Sequence, residues 1–379
     1  MNVALKRADA HAGARETACA GLLERRLKRY QPRFQARVRS LAERHPRLKD
    51  LAASFPALLF ALAVPRVGCD PTRVSARVID GAPLRELAAM ASLPLWLRRL
   101  EPAAFGAPIP QLPDGPFVSR QIVNHIPRGT KNMQAWLDAI SRAYTVADVS
   151  VAVWMAREWA NVPKRSRSGC VPWLLLWSWY ARHVPNDACK IKQAWKPSLS
   201  FVRADRLASE WRSNVLFFVE IGDDAVADIW LEPASVGGFD FVPLHTYADI
   251  ASEAIEMKNC VRTFGSYIGE NMSRLWSMRR GGERVATVEV QFAQESPYPH
   301  IAQVKLADDG RAPEGVWRVA QAWLAAQPQF RPGVRFACWG TTPANVRAWR
   351  RMWRPYWLAK RRFPDWLPLT PDRDTVDCL

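Results

Sequence analysis

Four groups of residues have types and spacing that could do chemistry. Cys260 stands between Asn259 and Val261 at the junction of two expected helices, and a thiol at a helix N-terminus can have a lowered pKa and act as a nucleophile. The competing reading is a small buried hydrophobe, the commoner role of a free cysteine. His245 and His300 could reach the thiol only through folding, and Asn259, its immediate neighbour, would not share a helix face with it. The second group is a polar row across two adjacent strands, Thr287, Glu289 and Gln291 with Gln303 and Lys305. It could line a groove and bind through hydrogen bonds, although a solvated strand face looks the same.

The other two groups are basic. Arg274, Arg279, Arg280 and Arg284 cluster around an expected turn and could hold a phosphate. From Ala344 to Arg354, Val346, Trp349 and Trp353 make one stripe flanked by Arg347, Arg350, Arg351 and Arg354, with Lys360, Arg361 and Arg362 following. The rings could stack on bases while the guanidinium groups take phosphates, or they could pack as core and leave the arginines free.

These groups must be positioned by a chain of 379 residues with a net charge of +17. Residues 1–50 carry 13 Lys/Arg against 5 Asp/Glu, and residues 331–379 carry 10 against 4, so the ends hold most of the excess. A field placed this way attracts polyanions, nucleic acid above all. The seven cysteines are far apart with no CxxC pair, which argues against a zinc site or a disulfide framework and fits a reducing cytoplasm. Lys6 and Arg7 are not followed by an apolar stretch, so no export signal is expected. The apolar runs Pro56 to Pro65 and Val171 to Ala181 are too short to span a membrane and read as buried helix. No metal site and no cofactor are expected, since Walker, dinucleotide-binding, zinc-protease, serine-elbow and EF-hand patterns are all missing from the sequence.

The fold class read from periodicity is α+β, an N-terminal all-helical region followed by an antiparallel β-meander packed with helices. Four segments are expected: a disordered basic leader over 1–21, a helical domain over 22–205, an α+β domain over 206–330, and a basic Trp/Arg-rich segment over 331–379. In the first half, Leu22, Leu23, Leu27, Val38, Leu41 and Leu48 recur at helical spacing. Further helices are expected over Leu51–Leu62, Pro83–Met90, Met133–Tyr144 and Val146–Trp159, the last with Val149, Val153 and Ala156 buried and Asp148, Arg157 and Glu158 wet.

Val215 to Ile221 alternates and, with Val226 to Leu231 after Gly222-Asp223-Asp224, reads as a β-hairpin. Thr246 with Asp249 marks a helix start, and a short helix is expected over Thr263–Glu270. Three strands follow, Arg274–Arg279, Arg284–Phe292 and His300–Leu306, then a helix over Glu314–Gln327, giving helices on one side of a meander. The middle strand turns Ala286, Val288, Val290 and Phe292 to the core, and the third sets Ala302, Val304 and Leu306 opposite Ile301, Gln303 and Lys305. The stretch from Phe363 reads as loose.

The order and spacing of residues 244–324 resemble the PcfJ-like family, associated with conjugative plasmids and related bacterial mobile elements. A helix ending in Glu253-Ala254-Ile255-Glu256-Met257 leads to Asn259-Cys260-Val261, then to Ser273–Arg279, to Glu283–Val290 and to Ile301-Ala302-Gln303-Val304. The family commonly has a histidine before the cysteine and a tyrosine four residues after it, where this chain has Asn259 and Phe264. The resemblance implies a fold and a genetic setting, with no reaction attached. The function expected is therefore a cytoplasmic, nucleic-acid-associated accessory protein of a mobile or integrated element, with DNA or RNA as partner. The alternatives are an enzyme dependent on Cys260 and a non-catalytic adaptor with a protein partner.

Overall fold

The computed structural model describes residues 21, 24–66, 69–127, 132–162, 171–184, 191, 193–221, 229–269, 271–292, 298–327 and 346–370. The fold is α+β, with helices in the N-terminal part and a five-stranded antiparallel sheet. Two compact units divide the chain, Met1–Trp179 with Trp195–Asp205, and Tyr180–Ala194 with Arg206–Leu379. The basic leader expected over 1–21 lies outside the described residues except at Gly21.

The first unit is helical: α1 Pro32–Ala42, α2 Pro46–Ser54, α3 Pro56–Ala63, α4 Pro71–Ile79, α5 Leu84–Met90, α6 Pro116–Val123, α7 Met133–Arg142 and α8 Val149–Glu158. Five of these begin on proline, which has its φ pre-set for a helix and lacks only an N–H that would go unpaired there. Asp70 and Asp148 cap α4 and α8, each accepting from two backbone N–H groups of the first turn. In α3 all residues from Pro56 to Leu62 are buried, so the run read as buried helix is one. The Tyr30 hydroxyl donates to the Pro56 carbonyl at 3.0 Å at its start.

Two boundaries differ from the sequence reading. The helix expected over Leu51–Leu62 is two, because Pro56 opens a new helix and leaves Phe55 at φ −154° between them. The helix expected from Val146 begins at Val149, since Ala143–Ala147 form a π turn and Asp148 is the cap. Val149 therefore lies in the exposed first turn while Glu158 is buried, the reverse of the expectation. Glu158 is satisfied there by Arg157 Nε at 3.0 Å, Asn161 Nδ2 at 3.2 Å and the Phe201 N–H at 3.1 Å.

Two further helices, α9 Val171–His183 and α10 Phe201–Ile221, precede the sheet. The strand expected at Val215–Ile221 is the last part of α10, so that hairpin does not form; of its second strand only Ile229–Leu231 are described, and they are not in a strand. Ala204, Leu207, Ala208, Trp211, Val215 and Phe218 are buried at helical spacing. Extending an existing helix adds a hydrogen bond per residue without a new nucleus, which outweighs the β preference of Val and Phe.

The strands β1 Ala234–Val236, β2 Phe239–Leu244, β3 Ser273–Arg280, β4 Glu283–Phe292 and β5 Pro299–Lys305 pair in sequence order. The last three match the expected strands to within one residue; β1 and β2 were not expected. Their turn is Gly237-Gly238 at φ +60° and +77°, a conformation that glycine adopts without strain. Helix α11 Tyr247–Glu256 starts at the expected capping box, the Thr246 side chain accepting from the Asp249 N–H and Asp249 from the Thr246 N–H. The helix expected over Thr263–Glu270 is a 3-10 turn, Val261–Phe264, and α12 Gly265–Gly269.

Helices cover both faces of the sheet, rather than one. On one face Phe241, Trp276, Met278, Ala286, Val288 and Val290 pack with Ala320 and Trp323 of α13 Glu314–Ala325, and the Phe241 and Trp323 rings stack 4.3 Å apart. On the other, Leu244 and Leu275 pack with Ile250 and Ala254 of α11, Phe217 of α10 and Ile268 of α12. The alternation expected in β5 is broken by a bulge: Glu289 pairs with Gln303 and Val290 with Ile301, leaving Ala302 unpaired and exposed. Ile301 thus joins Val304 in the core.

The last described helix is α14 Val346–Lys360. Trp349 and Trp353 are buried, and the Trp353 ring packs edge-on to Tyr180 at 5.6 Å and Trp211 at 6.1 Å. The chain beyond Phe363 is packed at least to Pro368, whose carbonyl accepts from Trp349 Nε1 at 2.9 Å beside a buried Leu367.

Candidate functional site

Cys260 and most of the polar strand row come together. A cavity of about 310 Å³ is lined by Asn259, Cys260, Val261, Phe264, Leu275, Thr287, Glu289, Gln303, Lys305 and Asp309. The strands place Thr287 and Glu289 on the face covered by α11, where both are buried, so this row is not a solvated surface. Gln291 stands outside the cavity lining and supports it, donating to Glu289 Oε1 at 2.6 Å.

The polar groups form two connected chains. Asn259 Nδ2 donates to Thr287 Oγ1 at 2.9 Å, and Thr287 donates to Glu253 Oε1 at 2.7 Å. Glu253, completely buried, is held from its other oxygen by Arg284 Nε at 2.7 Å, while Arg284 also binds Glu256 and the Ser252 hydroxyl. Glu289 collects Ser273 Oγ at 2.9 Å and Gln291 on Oε1, and Gln303 Nε2 at 2.6 Å on Oε2. A carboxylate taken from water requires such donors.

The thiol sits at the mouth. Cys260 is exposed, not the buried hydrophobe that free cysteines usually are. Its backbone N–H and Sγ approach Asp309 Oδ1 at 3.4 and 3.6 Å. Partial burial and then the Asp309 charge push the thiol pKa up, opposite to what a nucleophilic thiolate needs. Asp309 is held there by strained backbone: Asp308 and Asp309 both have φ near +57°, and the Asp308 N–H donates to the Met257 carbonyl at 2.8 Å. His245 is engaged with Asp249 instead, 3.6 Å away, and neither it nor His300 lines the cavity.

The four arginines expected around the first turn are separated. Arg274 is buried at the opposite end of β3, donating to the carbonyls of Ile268 and Ser273 and to Asn271, with its guanidinium 4.4 Å from the Trp230 ring centre. Arg279 donates to the Ser277 hydroxyl at 3.1 Å, Arg280 lies over Phe239 at 3.9 Å, and Arg284 is bound to the two glutamates. Four guanidinium groups used this way do not make one phosphate cradle.

The arginines of α14 are placed differently. Arg347, Arg350, Arg351 and Arg354 are all exposed and lie on the side of the helix opposite Trp349, Met352, Trp353 and Tyr356. Helix geometry puts Arg347 and Arg354 two turns apart, about 10 Å along the axis. The helix contains no acidic residue. The buried Trp349 and Trp353 rings have no free face for a base.

Comparison with known protein families, characterised proteins and solved structures finds no match. Among the described residues no helix is long and apolar enough to cross a membrane, and no group of three or more His, Cys, Asp or Glu side chains converges as a metal site would require.

Sequence reading missed Glu253 and Asp309. Glu253 had a signal, since it falls three residues after Ile250 and four before Met257, on the apolar stripe of α11. Asp309 had none, because its place depends on a loop conformation.

Proposed function

We propose that this chain is a PcfJ-like, nucleic-acid-associated accessory protein of a mobile or integrated genetic element, gripping phosphate backbones through the arginine face of α14. The observation that carries the reading is that face: Arg347, Arg350 and Arg354 are exposed on one helix without a carboxylate among them, beside Arg351, whose guanidinium lies 5.0 Å from the Phe218 ring centre. The charge excess at both ends of the sequence supports it, and the order of residues 244–324 supports the genetic setting. With the tryptophans in the core, the contact is made to phosphates and carries little base specificity.

Fluorescence anisotropy with single- and double-stranded DNA and RNA across a salt series tests this. Binding weakens steeply with salt, and the variant Arg347→Gln/Arg350→Gln/Arg354→Gln lowers the salt slope on duplex DNA by about 2 to 3, at roughly 0.9 per lost phosphate contact. Salt-independent binding, or a variant indistinguishable from the parent chain, would sink the proposal.

A further inference from the structure

We infer that the cavity between the sheet and the segment Asn259–Phe264 that follows α11 is a binding site for a small molecule presenting a planar pair of N–H donors, as a guanidinium group or the base-pairing edge of guanine does. The argument is a surplus of acceptors. Asn259 Oδ1 is buried with no hydrogen-bond partner among the described residues, while its amide nitrogen is committed to Thr287. Among the described residues Glu289 Oε2 accepts from Gln303 alone, and a carboxylate oxygen can take two donors. Asp309 brings a second carboxylate to the rim, and among the described lining residues Lys305 is the one cation. A buried acceptor left unpaired costs free energy that a ligand donor would recover.

Shape and solvation select the planar group. Val261, Phe264 and Leu275 give the cavity an apolar wall, and about 310 Å³ is at the small end for ligand sites. A guanidinium is flat, more weakly hydrated than an ammonium and matched in geometry to a carboxylate, so it loses less on entering a partly dry cavity. Guanine offers the same paired donors without the charge. This inference does not rest on the arginine face of α14.

Calorimetric titration of the full chain with agmatine, and separately with guanosine, tests it, with Asp309→Asn and Asn259→Leu as variants. Asp309 is exposed and Asn259 is the outermost member of the chain that runs through Thr287 to Glu253, and circular dichroism checks that each variant is folded. One probe is expected to bind with a Kd below about 1 mM and to weaken at least about tenfold in each variant. Agmatine as that probe supports the inference and makes the source a free organic cation; guanosine supports it and makes the source a nucleobase. Failure of both probes to bind, or binding unchanged in both variants, overturns it. The triple arginine variant binds the probe like the parent chain, which separates failure here from failure of the phosphate-grip proposal.

Discussion

Thr287 on β4 and Glu253 on α11, 34 residues apart in sequence, are joined by a hydrogen bond of 2.7 Å in the interior. The bond ties the helix to the sheet beside Asn259, three residues past the end of α11, whose amide also bonds Thr287 on the cavity wall. It also means that a fully buried carboxylate relies on two partners from one strand, Thr287 and Arg284.

Removing one of those partners should be expensive. Arg284→Ala leaves Glu253 buried without its cation, and a broken buried pair of this kind costs about 3 to 5 kcal/mol. The double variant Arg284→Met/Glu253→Leu should recover much of that. Urea unfolding of the three proteins checks it; a single variant as stable as the parent would show that Glu253 does not need Arg284.

The thiol of Cys260 should be slow, and Asp309 should be the reason that can be removed. Because burial and the neighbouring carboxylate both favour the protonated form, the thiol holds its proton more tightly than an ordinary cysteine does. Asp309→Asn removes the charge, lowers the thiol pKa and speeds alkylation at neutral pH. Iodoacetamide labelling followed at the Cys260 peptide by mass spectrometry measures this, and an unchanged or slower rate in Asp309→Asn would contradict it.

Stability should fall with acid through Glu158. Burial pushes its pKa up, but the hydrogen bonds from Asn161, the Phe201 N–H and Arg157 outweigh that and hold it below the ordinary carboxylate value. A folded pKa lower than the unfolded one contributes stability that is present above the unfolded value and is lost as pH falls through the folded value. In Glu158→Gln this part of the pH dependence disappears. Urea midpoints from pH 7 down to pH 3 for both proteins provide the comparison; parallel curves would rule the effect out.

Trp353 should matter for folding and not for phosphate contact. Trp353→Ala removes a buried ring packed against Tyr180 and Trp211, at a cost of about 3 to 5 kcal/mol. The folded fraction that remains at low temperature should bind nucleic acid with the parent salt slope. A variant of normal stability with weakened binding would instead return the ring to the contact surface.

Much was legible in the sequence wherever a local rule acts alone. Period two in Ala286, Val288 and Val290 located β4, the Thr246 and Asp249 pair located the start of α11, and the Trp349 and Trp353 stripe located a helix. The change from helix to sheet and the polar row of Thr287, Glu289 and Gln303 follow from the same periodicities. Periodicity fails where almost every residue of a run is apolar, as at Val215–Ile221 with Glu220 the one exception, since such a run fits either period. It fails again at Ala302, where one extra residue in β5 reverses which side chains face the core.

What only the tertiary structure decided is which of its two readings each group takes. The row on β4 is buried because α11 lies over it, and that depends on contacts such as Glu253 with Thr287 that no local pattern encodes. Arg274, Arg279, Arg280 and Arg284 are close in sequence, yet a strand of eight residues carries the first away from the turn, and the others are engaged by Ser277, the Phe239 ring and the glutamates of α11 in turn. The type and spacing of residues fix what each element can present. Which presented groups meet one another is set by long-range packing, because burial and charge act through space and not along the chain.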